Sequence, residues 1–455
     1  MRKLFLTAVL TVTAAAAVCA QDFKTGYFLD NYTYSYRVNP GAPVDGEPYV
    51  FFSLGIGNIL ADAHSNLSLG SFLNSSQTAF LFDSSVSTEE ALAGFDRQNA
   101  LLLNANVNLL TFGRQTESNR FSVELNLRSD SSLKFPYEFI YSGKSALVGF
   151  AEDVWIPDYT FSGVNLSANA YTEVALGYTQ KIGDLVTVGG RIKGLVGLAG
   201  ARFVDLASDV ALEKLGQPDE YIKGSITGRV DVASPAGFQV GTFSNGTDLL
   251  YDMYDVDYVH LLTNVLGGHK SIAGWGAGLD LGATFEPVEG LSLSASLIDL
   301  GFITWNRTIG GAFSFNTSYF ATGSENNDEI GTRLFAVEVD ETAHYTTSLD
   351  VTAHVGAKYR MPFYDRLSVG VLGTFRKYLT EVRAGVDVTP ADFISLAGSL
   401  GFSNYGTDFG LALNFKLPIL NFFVGTDALV FPTSRQALFG ARFNTLLNAG
   451  LVITI

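Results

Sequence analysis

Charged side chains at every second position of strand-like segments are the residues of this chain that could do chemistry. Asp350, His354 and Lys358 share one face of the segment 349–360, which ends at Arg360. A histidine between an acid and an amine could exchange a proton near neutral pH. The more ordinary role for His354 is membership of an interior hydrogen-bond network. The same alternation places charges of both signs on one face elsewhere, at Glu124, Arg128, Lys223, Arg229, Asp231, Asp280, Arg383 and Asp387. Because buried charges need partners, we expect all these residues to form a self-paired polar network rather than a selective pore.

The histidines and acidic loop residues do not form a recognisable metal site. The five histidines are His64, His260, His269, His344 and His354. No two of them have the spacing of metal ligands on one element. Calcium at Asp252, Asp255 and Asp257 is conceivable, but an EF-hand has a different spacing and needs a glycine and a distal glutamate. We therefore expect this loop and the similar segment 325–329 to be solvated, and we expect no metal and no cofactor.

The sequence also lacks the marks of an enzyme. Ser403 with His260 or His354 is the only serine and histidine pair worth considering as a hydrolase, and no spacing supports it. A Gly-x-Ser-x-Gly elbow between a strand and a helix is missing. A phosphate-binding loop and a dinucleotide-binding fingerprint are missing as well. We predict that the chain is not an enzyme.

The opposite face of the segment 349–360 is apolar. It carries Leu349, Val351, Ala353, Val355 and Ala357. Successive side chains of a strand point to opposite faces of its sheet, so this face is expected to contact lipid while the charged face points inward. A sheet that is apolar outside and polar within suggests a barrel in a membrane.

Period-two alternation recurs along the chain and predicts many strands. Clear segments are 101–109, 121–128, 221–232, 275–286, 367–378, 382–389 and 409–416. Most of these segments run about 8 to 12 residues, close to the roughly 9 to 11 that a tilted strand needs to cross a bilayer. Strands of soluble proteins more often stop at about five or six residues. The fold class is therefore all-β, a transmembrane antiparallel up-and-down β-barrel.

Two kinds of connection separate the predicted strands. Short turns are expected at 181–184, 287–290, 361–366, 389–392 and 416–418. Long polar insertions are expected at 61–99, 129–163, 204–220, 245–273 and 306–342. Outer-membrane barrels have short periplasmic turns and longer outer loops. Starting from Tyr49, we expect about sixteen strands in a single domain over 49–455, with fourteen as the alternative.

The first twenty residues predict an export signal. Arg2 and Lys3 form a basic start, an apolar run follows, and Ala20 ends a small-residue cleavage site. Removal of residues 1–20 takes away the single cysteine, Cys19, although this residue could instead carry a lipid. It also leaves 27 basic against 45 acidic residues, a net charge of −18, which argues against nucleic-acid binding. Charged residues are only 16% of the chain, against roughly 25% in soluble domains.

Residues 36–42, which read Tyr-Arg-Val-Asn-Pro-Gly-Ala, resemble the Asn-Pro-Ala element of the FadL-like fatty-acid transporter barrels. In that family the element lies in an N-terminal hatch that plugs the barrel. The matched positions are Asn39, Pro40 and Ala42, and Gly41 is inserted between them. An ordinary turn is the alternative, since Asn before Pro favours turns in any protein.

A longer stretch is similar to an uncharacterised group of Bacteroidota outer-membrane proteins. It comprises 27–39, 55–58 and 104–112. Together the resemblances imply a monomeric barrel in contact with outer-membrane lipids, with residues 21–48 as its hatch. They imply FadL- or PorV-like passage of small hydrophobic molecules. Two alternatives stay open: a non-transporting scaffold or shuttle that partners secretion-system proteins, and a general porin.

Overall fold

The computed structural model describes residues 23–44, 48–72, 81, 83, 86–142, 159–214, 220–233, 272–306, 309–320, 344–429 and 444–455. The predicted signal at 1–20 lies outside these residues. So do the calcium candidates Asp252, Asp255 and Asp257, the segment 325–329, and two of the histidines, His260 and His269.

Seventeen antiparallel β-strands of the described residues form one sheet. They are β1 (Tyr49–Ser65), β2 (Gln98–Gln115), β3 (Asn119–Pro136), β4 (Tyr159–Ile182), β5 (Val186–Lys214), β6 (Glu220–Ala233), β7 (Gly274–Val288), β8 (Leu291–Asn306), β9 (Ile309–Phe320), β10 (His344–Ser348), β11 (Thr352–Arg360), β12 (Leu367–Arg376), β13 (Leu379–Ala391), β14 (Ile394–Ser403), β15 (Gly406–Lys416), β16 (Leu420–Thr426) and β17 (Thr445–Thr454). The helices are short: α1 (Ser35–Val38), α2 (Thr88–Leu92) and 3₁₀ turns at Thr25–Tyr27 and Leu69–Phe72. No helix in the described part of the chain has the length and apolarity needed to cross a membrane.

The sheet closes on itself. Following the pairings gives a ring of fourteen strands in the order β1, β2, β3, β4, β5, β7, β8, β11, β12, β13, β14, β15, β16, β17 and back to β1. The short β10 continues the line of β11 along β8. A closed ring leaves no unpaired edge. The predicted all-β antiparallel barrel is confirmed, with fourteen strands in its wall.

β5 is long enough to serve two neighbours. Its first part, 186–197, pairs with β7, and its second part, 200–214, pairs with β6, which in turn pairs with β9. The polar insertion predicted at 204–220 is therefore wrong, and β9 occupies part of the one predicted at 306–342. A bulge explains the first error: Asp205 has a positive φ of 50° and shifts the alternation within β5.

The two ends of the ring differ. One end, here the turn end, carries the short connections after β2, β4, β7, β11, β13 and β15 together with Tyr49 and the last residue, Ile455. The other, here the loop end, carries the long connections after β1, β3 and β16 as well as two tight turns. This asymmetry is the one that the sequence predicts.

The wall is apolar outside and polar inside. Ile192, Trp275 and Val355 are among its large exposed apolar side chains, whereas Asn126 and Asp280 are fully buried. A soluble protein has the opposite distribution. The wall therefore has the surface that a barrel in a lipid bilayer requires.

Leu349 departs from the predicted lipid face. Val351 and Val355 are exposed, but Leu349 is buried inside the ring beside Trp305. The cause is a break between β10 and β11, where the N–H of Val351 donates to the carbonyl of Leu349 instead of to a neighbouring strand. This local turn moves the inward positions from odd to even residue numbers.

An arginine on the outer face should test the lipid exposure of the wall. We expect Val355→Arg to lower the free energy of unfolding by about 2–4 kcal/mol, because Val355 lies midway along β11 and its line with β10. Tyr359→Arg, nearer the turn end, should lower the free energy of unfolding by only about 0–1 kcal/mol. Urea unfolding in lipid vesicles measures both, and equal costs would contradict the depth dependence.

Candidate functional site

The N-terminal segment lies inside the ring. We call residues 23–44 the plug. Its apolar side chains are buried and pack against inward-facing residues of the wall. The plug contributes Phe23, Phe28, Leu29, Tyr32, Tyr34, Tyr36 and Val38, and the wall contributes Phe51, Leu60, Leu372, Ala397, Ala412, Phe423, Leu446 and Val452. The plug thus fills a level of the lumen that would otherwise be open.

The first residues of the plug are anchored toward the loop end. The backbone N–H groups of Lys24 and Thr25 donate to the Asp427 carboxylate over 2.9 and 2.7 Å. The Lys24 ammonium lies 2.6 Å from Glu381. Burial alone would lower the pKa of Lys24, but the negative charges of Glu381, Asp427 and Asp62 outweigh it and raise that pKa. Lys24 therefore stays charged and paired at neutral pH.

The middle of the plug is anchored to Glu124 of β3. The hydroxyl of Tyr36 donates to Glu124 Oε1, and Arg37 Nε donates to the same atom over 3.2 Å. Burial and the negative charge of Glu124 raise the pKa of Tyr36 well above its ordinary value. Tyr36 therefore remains a neutral donor, and Glu124 has two donors from the plug.

Glu124 belongs to a larger group of buried charges, here the ionic network. Its members are Glu124, Arg128, Asp130, Glu173, Arg191, Lys193, Asp280 and Asp299. Arg191 joins Glu124 at 2.7 Å to Asp280 at 2.9 Å. All eight side chains are at most 6% exposed. With Arg37 of the plug, four cations meet five carboxylates, so the charges nearly cancel.

Asp299 holds two cations of the network at short distance. Both of its carboxylate oxygens accept from Arg128, over 2.9 and 2.8 Å, and Lys193 lies 2.5 Å away. Its own N–H donates to Asp280 over 2.8 Å. A bulge in β8 gives Asp299 this position, because its φ is 61° and both Ile298 and Asp299 point inward.

Asn39, Pro40 and Ala42, the residues that match the hatch element, lie in the C-terminal part of the plug, against β4, β5 and β7. Asn39 Nδ2 donates to Thr284 Oγ1 over 2.9 Å, and the carbonyl of Pro40 accepts from Thr179 Oγ1 over 2.7 Å. Ala42 is buried and its N–H donates to the carbonyl of Asn39. Only a glycine fits at the inserted position 41, because a Cβ on Gly41 would lie 2.5 Å from the carbonyl oxygen of Gly282.

Glycines of the wall face the plug at several points. A Cβ on Gly385 would overlap the ring of Phe28, and one on Gly425 would overlap the ring of Phe23. On the opposite side of the lumen, a Cβ on Gly189 would overlap the carbonyl of Pro40. The plug therefore sits directly on the backbone of the wall at these positions.

Some residues that alternation singled out come together. Glu124, Arg128 and Asp280 all belong to the ionic network. Arg383 lies beside the Lys24 anchor, where it donates to Glu381 over 2.7 Å.

The remaining candidates are spread along the lumen. Asp231 binds Arg229 and Arg202, and Asp350 binds Arg376. His354 shares a 3.0 Å hydrogen bond with Thr374. Lys358 contacts the plug, and Asp387 accepts from Thr389. The side chain of Lys223 lies outside the described residues.

Five of the eight residues of the ionic network were not predicted from the alternation: Asp130, Glu173, Arg191, Lys193 and Asp299. Glu173, Arg191 and Lys193 follow the same period-two pattern in β4 and β5, so a complete count of those strands would have found them. Lys24 and Arg37 lie in a segment without periodicity. Their partners depend on how the plug folds back, which no local pattern encodes.

The described residues hold neither a metal site nor the imagined hydrolase pair. No group of three or more His, Cys, Asp or Glu side chains among them could hold a metal ion. The hydroxyl of Ser403 donates to the carbonyl of Gly406 in a tight turn at the loop end. His354 bonds Thr374 instead.

Comparison with known proteins gives one family. Residues 16–427 match a family described as a family of unknown function, DUF5723. A search of curated proteins finds no match.

Solved structures of outer-membrane channels are similar over most of their length. A TodX deltaS2S3 mutant monoaromatic hydrocarbon channel aligns with a TM-score of 0.42 at 9% identity, covering 93% of this chain and 94% of that one. A Pseudomonas aeruginosa FadL homologue gives 0.40 at 11% identity over 94% of both chains. The Ralstonia pickettii toluene transporter TbuX gives 0.35 at 10% identity over 91% of both.

Removing the charge of Asp299 should destabilise the barrel strongly. Asp299→Asn keeps the shape but leaves Arg128 and Lys193 short of a counter-ion in a buried site. We expect the free energy of unfolding to fall by about 3–5 kcal/mol, as when one partner of a buried pair is removed. Urea unfolding measures it, with Asp392→Asn, at an exposed ion pair, as the control that should not differ from the wild type. A wild-type midpoint for Asp299→Asn would refute the dependence on Asp299.

Proposed function

The chain belongs to DUF5723, a family of unknown function, and we propose that it is an outer-membrane channel in which the plug gates the passage of small hydrophobic molecules. In this proposal the turn end faces the periplasm and the loop end faces the outside. Residues 21–48 act as a hatch that moves to open a route.

The occupation of the lumen by the plug carries the proposal. The plug is held by separate polar contacts at Asp427, which directly follows β16, at Glu124 of β3 and at Thr284 of β7. A general porin keeps a water-filled lumen, whereas this one holds a folded segment and a buried ionic network. Because the anchors are non-covalent, the plug can leave its seat without the breaking of a covalent bond.

Apolar clusters at three levels support a hydrophobic cargo. The outermost lies among the loop-end extensions of β1 to β4 and includes Leu67, Phe135 and Val164. The next lies inside the ring and includes Trp305 and Tyr345. The aromatic side chains of the plug form the third. Apolar surface inside a barrel favours apolar molecules over ions and sugars, because apolar contacts release ordered water.

The wall beside the plug also offers an apolar exit. Residues 53–57 of β1 have no partner in β17, and 55–57 have none in β2. Leu54 is 82% exposed on the outside of this interruption, while Tyr34 of the plug lies behind it, 3.4 Å from Ser53. Movement of the plug at this level would connect the lumen with the lipid.

Deletion of the plug should open the barrel. We expect the variant without Thr25–Gly46 to conduct ions steadily in planar bilayers, because removal of the plug leaves a water-filled lumen. The intact protein should show no large steady current. Circular dichroism tests whether the deleted variant still folds. A folded variant that stays closed would contradict the hatch, and a large steady current from the intact protein would favour the porin.

A reversible disulfide between the plug and the wall, here the lock, should show whether passage requires the plug to move. The hydroxyl oxygens of Thr25 and Ser399 lie 2.8 Å apart, so Thr25→Cys with Ser399→Cys can form a disulfide. Cys19, the one native cysteine, lies in the predicted signal. We expect oxidation to reduce cellular uptake of the apolar dye N-phenyl-1-naphthylamine at least tenfold and dithiothreitol to restore it.

The two single-cysteine variants are the matched controls for the lock, and oxidation should leave their uptake unchanged. If the oxidised double variant takes up dye as fast as the reduced one, passage does not depend on movement of the plug. A surface scaffold is then the better function, and the β5, β6 and β9 extension beyond the ring is the surface on which it would bind a partner.

A further inference from the structure

A cavity of about 350 Å³ lies at the turn end between the plug and the wall. Asp30 and Asn39 of the plug line it together with Lys358 and Arg360 of β11. The Arg360 side chain is 58% exposed, so solutes reach the cavity from the turn end. Of the three contacts that hold the plug in the proposed function, only the bond from Asn39 to Thr284 borders this cavity.

The charges that line the cavity are mostly positive. Arg120, Lys358, Arg360 and Lys416 face only two acids there, Asp30 and Glu286. The whole chain carries a net charge of −16, so this local excess runs against its overall balance. Concave walls of low dielectric focus the field of such a cluster and raise the local concentration of anions.

Asp30 of the plug already occupies the strongest part of this cluster. Its Oδ1 lies 2.5 Å from Lys358 Nζ, and its Oδ2 lies 3.9 Å from Arg360 Nη2. The chain reverses directly after it, since Asn31 has a φ of 60°. The reversal holds the Asp30 carboxylate against the two cations.

We propose that the cavity is a binding site for an anionic group, a phosphate or a carboxylate, and that Asp30 is the internal competitor which the ligand displaces. An ammonium beside a guanidinium is the pair that recognises such oxyanions, the guanidinium through two parallel hydrogen bonds. Both cations are partly exposed, so an external anion reaches them without unfolding the wall.

Binding of the anion would loosen the plug. Lys358 Nζ donates to the carbonyl of Phe28 over 2.7 Å as well as to Asp30. A ligand that draws Lys358 and Arg360 away removes two contacts that seat residues 28–30. The site therefore links the presence of an anion at the turn end to release of the plug. The inference concerns the same plug as the proposed hatch, but its test reads binding and not passage, so each can fail alone.

Calorimetric titration of the full-length protein with inorganic phosphate in a non-ionic detergent tests the site. We expect Asp30→Asn to bind phosphate about tenfold more tightly than the wild type, because removal of an internal competitor raises the fraction of open sites. Asp392→Asn is the matched control, since Asp392 also pairs with an arginine at the turn end, Arg366 at 3.0 Å, but lies outside the cavity. Its affinity should equal that of the wild type.

A second substitution places the binding at the cations. Arg360→Gln in the Asp30→Asn background should weaken phosphate binding at least tenfold. If Asp30→Asn binds neither inorganic phosphate nor dodecyl phosphate more tightly than Asp392→Asn does, or if Arg360→Gln in that background leaves the binding unchanged, the site is refuted. Arg360 is mostly exposed, so its loss should not prevent folding, and circular dichroism checks this.

Two probes distinguish the source of the anion. If inorganic phosphate binds, the ligand is a free anion. If only dodecyl phosphate binds, the ligand is the headgroup of an amphiphile. With either probe, tighter binding by Asp30→Asn supports the site. Failure of both probes to bind Asp30→Asn overturns it. Hydrogen exchange tests whether anion binding releases the plug. The bound probe should speed exchange of the backbone amides of residues 26–32 in the wild type, and unchanged exchange would contradict release of the plug.

Discussion

Closure of the strand ring is the constraint on which the rest of this structure depends. Inside a bilayer each backbone N–H and C=O must find a partner within the protein, and only a sheet without edges meets that demand with strands. Closure turns one face of every strand toward lipid and the other toward a common interior. The interior of a fourteen-strand ring is too wide for its own side chains to fill with apolar contacts alone. Charges and a separate segment of chain fill it instead.

The plug and the wall are consequently one electrostatic unit. Arg37 shares Glu124 with Arg191 of the wall, and Lys24 shares Glu381 with Arg383 of the wall. A buried carboxylate that loses one of its two cations is destabilised, and this cost favours the seated plug. In the proposed opening, water that enters behind the departing plug would lower the same cost and so weaken the contacts that hold the plug.

Alternation in the sequence is enough to predict the wall and the inward set of residues, because a strand has a fixed period of two. It identifies Glu124, Arg128 and Asp280 as inward-facing before any pairing is known. Bulges and breaks defeat it, since each shifts the period by one residue. Asp299 points inward next to the inward-facing Ile298, and Leu349 points inward where the pattern predicts lipid. The partners of Lys24 and Arg37 depend on contacts hundreds and tens of residues away, which no local pattern contains.

The glycines beneath the plug have a consequence for how the two parts can change over generations. Phe28 packs on Gly385, Phe23 on Gly425 and Pro40 on Gly189, so the inner surface of the wall is complementary in shape to the plug. A bulkier residue at one of these wall positions requires a smaller residue in the plug. The N-terminal twentieth of the protein and strands far along the chain must then vary together, and an N-terminal segment borrowed from a distant relative would not fit this wall.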